Sequence, residues 1–444
     1  MRIKQIFCAD AHRFFSLNIH CFISRCLDAN LKACVGYRTM EVLLKLIENY
    51  LRAFQMKKSD HLTIRDHNQR LVLQALFNAD ETSRAQLAID LNLNKSTISS
   101  IYRDLDEKGF IESLGDGETS ETGGRKAKLI RFNRRYGYVI SFDMGRHHLR
   151  TALVQVGGAV IMKQNTAVDG MSVLQVTELM ISQIKKYKNN KNGTLNGLMG
   201  ISVGIHGVVE NNKVQYSPFF DYSQLDMAVE LENVSGVRVV LENEANFAAT
   251  YMRDYHDYRK SDHYNNMVVL NIHYGIGAGI IINGELYRGI QGRTGEIGRS
   301  VIETSTGETV RIEDLYSEDA MLRRTAERTG LIVQDRDRFI QLRKEQPETV
   351  SLLLDEWVRG ISRVAFNLVQ TLAPEALFIH SRFIAEMPDL LERVIVAYQM
   401  LNPINQSEIL FANHSVYDAT LLGGASSIAR EVLDLDGLSL SFRL

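Results

Sequence analysis

The sequence predicts two kinds of structure in one chain: an N-terminal all-α, winged helix-turn-helix segment, followed by an α/β domain of two lobes. Three observations predict it. Apolar residues at helical spacing, broken by short polar turns, run through the segment 68–112. From residue 136 they give way to short apolar strands, each ending in glycines or polar residues. At 444 residues the chain also exceeds one ordinary core, so more than one domain is expected.

With 45% hydrophobic and 23% charged residues the composition is that of a globular protein, and a net charge of −2 gives no global attraction to nucleic acid or membrane. No apolar run approaches the length of a membrane span, and the N-terminus lacks the basic, apolar, small-residue order of a signal peptide. A cytoplasmic protein without a membrane partner is expected.

Residues 1–55 read as an extension, with Met56 as the functional start. The rival reading makes "MEVLLKLIENYLRAF" (40–54) an amphipathic helix that packs on a partner. All four cysteines, Cys8, Cys21, Cys26 and Cys34, lie here at spacings that match no paired metal site.

The head is expected over 56–133. Val72, Leu73, Leu76 and Phe77 stripe a first helix. Thr82 or Ser83 can cap a short second one carrying Leu87, Ala88 and Leu91, and Asn92 to Asn94 make a tight turn. A third helix then buries Ile98, Ile101 and Leu105, which turns Lys95, Ser96, Thr97, Ser99, Ser100 and Arg103 outward or toward its N-terminal end. Short hydroxyls and a few cations there suit a recognition helix in a DNA major groove.

The following "SLGDGETSETGGRKAKLIRFN" reads as a β-wing. Its Gly123-Gly124 hinge permits close approach, and Arg125 and Lys126 suit a narrow minor groove. Residues 57–131 hold 12 Lys+Arg against 12 Asp+Glu. Attraction to DNA must therefore be local, and a dimer reading two half-sites is expected.

The second domain is expected over 134–444. A strand ending in Asp143-Met144-Gly145, with a second strand behind it, resembles the phosphate-binding hairpin shared by sugar kinases, actin and heat-shock chaperones. "GISVGIHGVVENNKV" (200–214), "VVLENEANFAAT" (239–250) and "VVLNIHYGIGAGIIINGELYRGIQGRTGEIGRS" (268–300) continue the alternation. Together with the helix-turn-helix and its GGR wing, these motifs resemble the ROK family over residues 57–444, on its repressor branch. Glu242-Asn243-Glu244-Ala245-Asn246 resembles the xylose repressors within it. The implied fold is a two-lobed sugar kinase/actin-like (ribonuclease H-like) domain with a ligand cleft.

The resemblance implies sugar contacts at Asn243, Glu244, Glu296 and Glu313. Gly204 to Gly207 and "SPFF" (217–220) are expected to close the pocket. Several departures stand beside these matches. Arg146 and His147 occupy the places of a glycine and a threonine in the kinases' first hairpin. His273-Tyr274 replaces Gly-Thr in the second phosphate loop, and His380-Ser381 stands where the kinases have a glycine pair for adenosine. "LLGGASS" (421–427) keeps small residues, with tight helix packing as an equally good explanation. A Glu at 244 instead of Asp displaces a general base by about one carbon–carbon bond, an error of roughly 1 Å that binding tolerates better than catalysis. Arg299 takes the place of a zinc-binding, sugar-contacting His, and "ETSTGETVRIED" lacks the family's cysteine cluster, so no structural zinc is expected. Arg299 is expected to donate to a sugar hydroxyl or to pair with Glu296 or Glu303.

These expectations describe a repressor of a carbohydrate operon, with xylose as the implied sugar, released from operator DNA when a non-catalytic sensor binds its ligand. No catalytic residue, no metal ligand and no ATP are assigned. The alternatives are an active sugar kinase and a constitutive DNA-binding protein with a dead pocket. "LLLDEWVRGISRVAFNLVQTLAPEALFIH" (352–380) is expected to be a self-association helix, giving a homodimer, with a tetramer as the alternative.

Overall fold

The computed structural model describes residues 63–117, 126–255, 264–304, 306–401, 408–411 (backbone only) and 417–444. The extension 1–55 with its cysteines, and Gly123, Gly124 and Arg125 of the expected wing, lie outside them. Two compact units divide the chain at Met1–Gln69 and Arg70–Leu444. In the first, the described residues 63–69 are helical.

The second unit opens with a helix through 70–78 (α1), followed by α2 (Arg84–Asp90) and α3 (Lys95–Glu107). Ser83 caps α2 by accepting from Gln86 N, and Asn94 caps α3 by accepting from Thr97 N. An antiparallel pair follows, β1 (Ile111–Asp116) with β2 (Lys128–Phe132), in the register Ile111 opposite Phe132.

The first lobe is a five-stranded sheet built from β3 (Tyr138–Met144), β4 (His148–Gln155), β5 (Val160–Ala167), β6 (Leu198–Ile205) and β9 (Arg238–Asn243), in the order β5-β4-β3-β6-β9. Every residue of β3 is buried, because helices cover both faces, and this is why the strand reads as an apolar run instead of alternating. One face carries α4 (Val173–Lys188) and α5 (Met227–Ser235). A hairpin, β7 (Val208–Glu210) and β8 (Lys213–Tyr216), projects after β6.

Helix α6 (Glu244–Asp254) leads to the second lobe. Its sheet orders β12-β11-β10-β15-β16, from β10 (Met267–Ile272), β11 (Ile276–Ile282), β12 (Glu285–Leu286), β15 (Ala376–Ser381) and β16 (Glu408–Phe411). The segment "ETSTGETVRIED" (303–314) runs from the last residue of β13 (Val301–Glu303) to β14 (Thr309–Arg311) and the start of α7 (Ile312–Tyr316). Helices α8 (Glu318–Thr329), α9 (Arg336–Glu345), α10 (Pro347–Leu372), α11 (Arg382–Glu386) and α12 (Asp389–Leu401) complete the lobe. Helix α13 (Ala419–Val432) returns to cover the free face of the first sheet.

Helices α6 and α13 pack on each other between the two sheets. Gly423 and Gly424 make this possible: a Cβ on Gly423 would lie 1.8 Å from the Phe247 carbonyl oxygen, and one on Gly424 would lie 2.7 Å from Ser202 Oγ. Of the two readings of "LLGGASS", helix packing accounts for these glycines.

Helix α10 buries Val350, Leu353, Leu354, Trp357, Val358 and Ile361 in the second lobe's own core, and Trp357 Nε1 donates to the Tyr316 carbonyl at 2.8 Å. Its apolar length is thus explained within one chain. Among the described residues no helix is long and apolar enough to cross a membrane.

The packing runs continuously across residue 133. Leu76, Phe77, Ile130 and Phe132 share a core with Val154, Ile428, Leu435 and Phe442. The C-terminal segment after α13 is what the head rests on. Gln74 and Asn78 of α1 both donate to Ser439 O at 2.9 Å, Ser441 N donates to Asn78 Oδ1 at 2.9 Å, and the Phe77 and Phe442 rings meet at 4.9 Å.

Candidate sugar and DNA sites

Strand β9 ends at Asn243, which caps α6 by accepting from the amides of Ala245 and Asn246 at 2.8 and 3.2 Å. Its Nδ2 donates to Gly207 O at 2.8 Å and to Glu244 Oε2 at 3.0 Å. All the hydrogen-bonding capacity of this amide is committed within the protein. The hydroxyl contact expected of Asn243 requires one of these bonds to open. What Asn243 does here is orient Glu244.

Glu244 is largely buried at the head of α6, with Oε1 3.8 Å from Nδ1 of His206. On its other side His206 Nε2 lies 3.4 Å from Asp143 Oδ1, an ion-pair distance longer than a good hydrogen bond. Burial pushes the Glu244 carboxyl up, and His206 opposes this. Burial disfavours the charged imidazole of His206, but Glu244 and Asp143 together outweigh that and raise it. His206 was not singled out from the sequence, where it is one unremarked residue inside "GIHG".

Glu296 is near enough to Glu244 for its charge to push the Glu244 carboxyl up further. Burial raises the Glu296 carboxyl, Arg299 opposes this, and Glu313 adds to the rise. Arg299 Nε is 3.1 Å from Glu296 Oε2, the ion pair expected from the sequence, and its guanidinium lies 4.6 Å above the Tyr216 ring. Glu313 Oε2 sits over the backbone of Gly275 and Gly298, where added Cβ atoms would meet it at 3.0 and 2.8 Å. Four of the five expected sugar contacts, Glu244, Glu296, Arg299 and Glu313, thus lie close enough to act on one another's charge. Their charge is acidic, and their donors and acceptors suit hydroxyl groups.

The polar groups of the first hairpin and of the start of α11 are bonded within the chain. Arg150 pairs with buried Asp143 and also donates to the Tyr417 carbonyl. Burial pushes the Asp143 carboxyl up, yet Arg150, with His206, holds it well below the usual carboxylate range. Glu318, buried in the second lobe, accepts from Ser381 Oγ at 3.1 Å and from the amides of Arg382 and Phe383 at 2.8 and 3.2 Å. A carboxylate of the protein therefore holds the amides at the start of α11. His380 is buried and bonded to Asn271 Oδ1 at 2.6 Å. A cavity of about 480 Å³ nearby is lined by His148, Arg150, Lys163, Arg382, Tyr417 and Asp418. Its charges are mostly matched, since Arg150 pairs with Asp143 and Lys163 with Asp418 at 2.8 Å.

In the head, α3 buries Ile98, Ile101 and Leu105 as its spacing predicts. Lys95, Ser96, Ser99 and Arg103 are exposed, while Thr97 and Ser100 are half-buried. Ser96 Oγ and Thr97 Oγ1 both donate to Asn94 Oδ1, at 2.7 and 2.9 Å, so these two hydroxyls stiffen the start of the helix. Lys126 is exposed; Arg131 of the basic run pairs with Glu112 at 2.8 Å across the strands.

Residues 139–432 match the model of the ROK family. A xylose repressor of Lactiplantibacillus pentosus is 35% identical over 389 residues, covering 86% of this chain and 97% of that protein. Among solved structures, a ROK family transcriptional regulator described as a homologue of the E. coli MLC protein superposes with a TM-score of 0.69 at 19% identity, covering 84% of this chain and 97% of that one. A ROK hexokinase from Thermus thermophilus superposes with a TM-score of 0.55 at 19% identity, over 67% of this chain and 99% of that one. The shared fold is the two-lobed one of sugar kinases.

Proposed function

The chain belongs to the ROK family, and from that premise we propose that it is a sugar-responsive transcriptional repressor whose kinase-like domain binds its ligand without phosphorylating it. The head, 56–133, is a winged helix-turn-helix that places Lys95, Ser99 and Arg103 at DNA, with Lys126 and the wing beside them. The sensor, 134–444, takes a sugar at Glu244, Glu296, Arg299 and Glu313. Xylose is the proposed ligand, on the strength of the repressor relatives.

One observation carries the non-catalytic reading. Asp143, the acid of the first phosphate hairpin, is locked between Arg150 and His206, while Glu318 occupies the amides at the start of α11. A nucleotide would have to displace both. The kinase reading is weaker for that reason.

Ligand is relayed along α6. Its first residue, Glu244, is in the sugar site; its last, Asp254, holds Arg430 of α13 at 2.6 Å and the Phe442 amide of the tail at 2.8 Å. The tail carries the head through Ser439 and Ser441. Sugar that favours a closed cleft shifts α6 and α13 together, and in a homodimer the two heads leave operator spacing. The dimer contact proposed is the apolar groove between α10 and α12, where Val358, Val396, Ala397 and the exposed Met400 lie between Asp355, Arg359, Glu392 and Arg393.

Thermal shift with a panel of pentoses and hexoses, each with and without MgATP, tests the reading. Ligand at about a hundred times its Kd stabilises by about 2.7 kcal/mol. Stabilisation by a sugar alone is expected. A shift that requires MgATP, or ADP release on sugar addition, would restore the kinase.

A further inference from the structure

A row of rings runs from beside Glu244 toward two turns, the one after β3 and the one between β10 and β11. His206, 3.8 Å from Glu244, has its ring centroid 5.9 Å from that of Phe219. Phe219 meets Tyr274 edge-on at 5.9 Å, and Tyr274 lies 6.1 Å from His147. The Arg146 guanidinium sits 6.0 Å from the Phe219 ring. Four separate segments contribute: the turn after β3, the turn between β6 and β7, the stretch after β8, and the turn between β10 and β11. Tyr222, three residues on from Phe219, has its hydroxyl 3.3 Å from Met144 Sδ, at the end of β3.

We propose that this row sets the length of the sugar admitted, and that Phe219 and Tyr274 are the residues that select a pentose over a hexose. The inference rests on the reading of Glu244 as a sugar contact. A ligand hydroxyl that reaches Glu244 stands beside His206, and any substituent carried further toward the two turns meets Phe219 and then Tyr274. A hydroxymethyl group there must push a ring aside or lose its water without a partner, and both disfavour it. Xylopyranose has the configuration of glucopyranose at C2, C3 and C4 and differs by lacking the hydroxymethyl group on C5. The wall therefore discriminates where Glu244, Glu296 and Arg299, which meet hydroxyls common to both sugars, do not. One group of this size changes affinity by roughly tenfold to two-hundredfold.

Calorimetric titration of the full chain with xylose and glucose tests this, using wild type, Phe219→Ala, Phe219→Leu and Tyr274→Thr. Wild type is expected to bind xylose at least about tenfold more tightly than glucose. Phe219→Ala and Tyr274→Thr are expected to close that gap by about tenfold by gaining glucose affinity. Phe219→Leu keeps an apolar side chain and serves as the folded counterpart should the alanine variant unfold; it is expected to move the ratio in the same direction by a smaller factor. A wild type that binds both sugars equally overturns the wall, as does an unchanged ratio in the folded variants. A wild type that binds neither sugar overturns the sugar-sensor reading itself, and the wall with it.

Discussion

The carbonyl of Asp254 accepts a 2.8 Å hydrogen bond from the amide of Phe442, so the last residue of the helix that begins at Glu244 is tied to the segment that supports the head. Phe442 then meets Phe77 at 4.9 Å. The distance from cleft to head is covered by one helix and one short tail.

If this route carries the signal, weakening the tail should disconnect the two ends without harming either. Asn78→Ala removes the side-chain bonds to Ser439 and Ser441 and is expected to cost about 1 to 2 kcal/mol of stability. Sugar affinity should be unchanged, while the sugar-induced change in DNA affinity should shrink several-fold. Titrating DNA with and without sugar reads both; a full response in the variant refutes the tail as the route.

Asp254 also supplies a pH signature. Burial would raise its carboxyl, but Arg253 and Arg430 outweigh that and bring it down to about 2. A carboxyl lowered on folding contributes stability above its unfolded value, and the contribution, roughly 2 kcal/mol, is lost as pH falls through the folded value. Thermal melts between pH 5 and about 2 should show this loss. Asp254→Asn, which leaves Arg430 buried and unpaired, should be less stable than wild type by about 3 kcal/mol at neutral pH and lose less on acidification. Equal acid sensitivity of the two proteins counts against the assignment.

His206 has the opposite sign. Its imidazole is raised by Glu244 and Asp143 against the effect of burial. The charged form therefore adds stability that is complete below the ordinary histidine value and disappears as pH rises through the raised one. Melting temperature should fall as pH rises above the ordinary histidine value, and His206→Gln should flatten that slope. A slope identical in both proteins places the effect elsewhere.

Glu244→Ala should abolish the sugar response and spare DNA affinity, since Glu244 reaches the head only through α6. Gel-shift titration with and without xylose reads both quantities. Collapse of DNA affinity would make the residue structural.

Much of this was legible in the sequence, because it follows from period and local chemistry. The stripe Ile98, Ile101, Leu105 fixed the outer face of α3, and the apolar runs around 139–144 and 268–272 became buried strands. Glu244, Glu296 and Glu313 came from motif resemblance, and the fold places them near one another. His206 did not stand out, since a lone histidine gains its meaning only from the two carboxylates that the fold brings to it. Asn243 was legible as a site residue, but not that capping α6 commits its amide. The tail "LDLDGLSLSFRL" has no helical or strand period, and its partners lie more than 350 residues away in sequence at Gln74 and Asn78. Trp357 in a long amphipathic helix suits a core and an interface equally well by pattern, and packing alone assigns it to the core.

The central claim is that sugar alone releases the protein from DNA. Fluorescence anisotropy of a labelled duplex, selected by the protein from a random pool and titrated with xylose in the absence of nucleotide, tests it most directly. Release in proportion to xylose bound, with no dependence on MgATP, is the predicted result. Unchanged or tighter binding to DNA in saturating xylose would contradict the account.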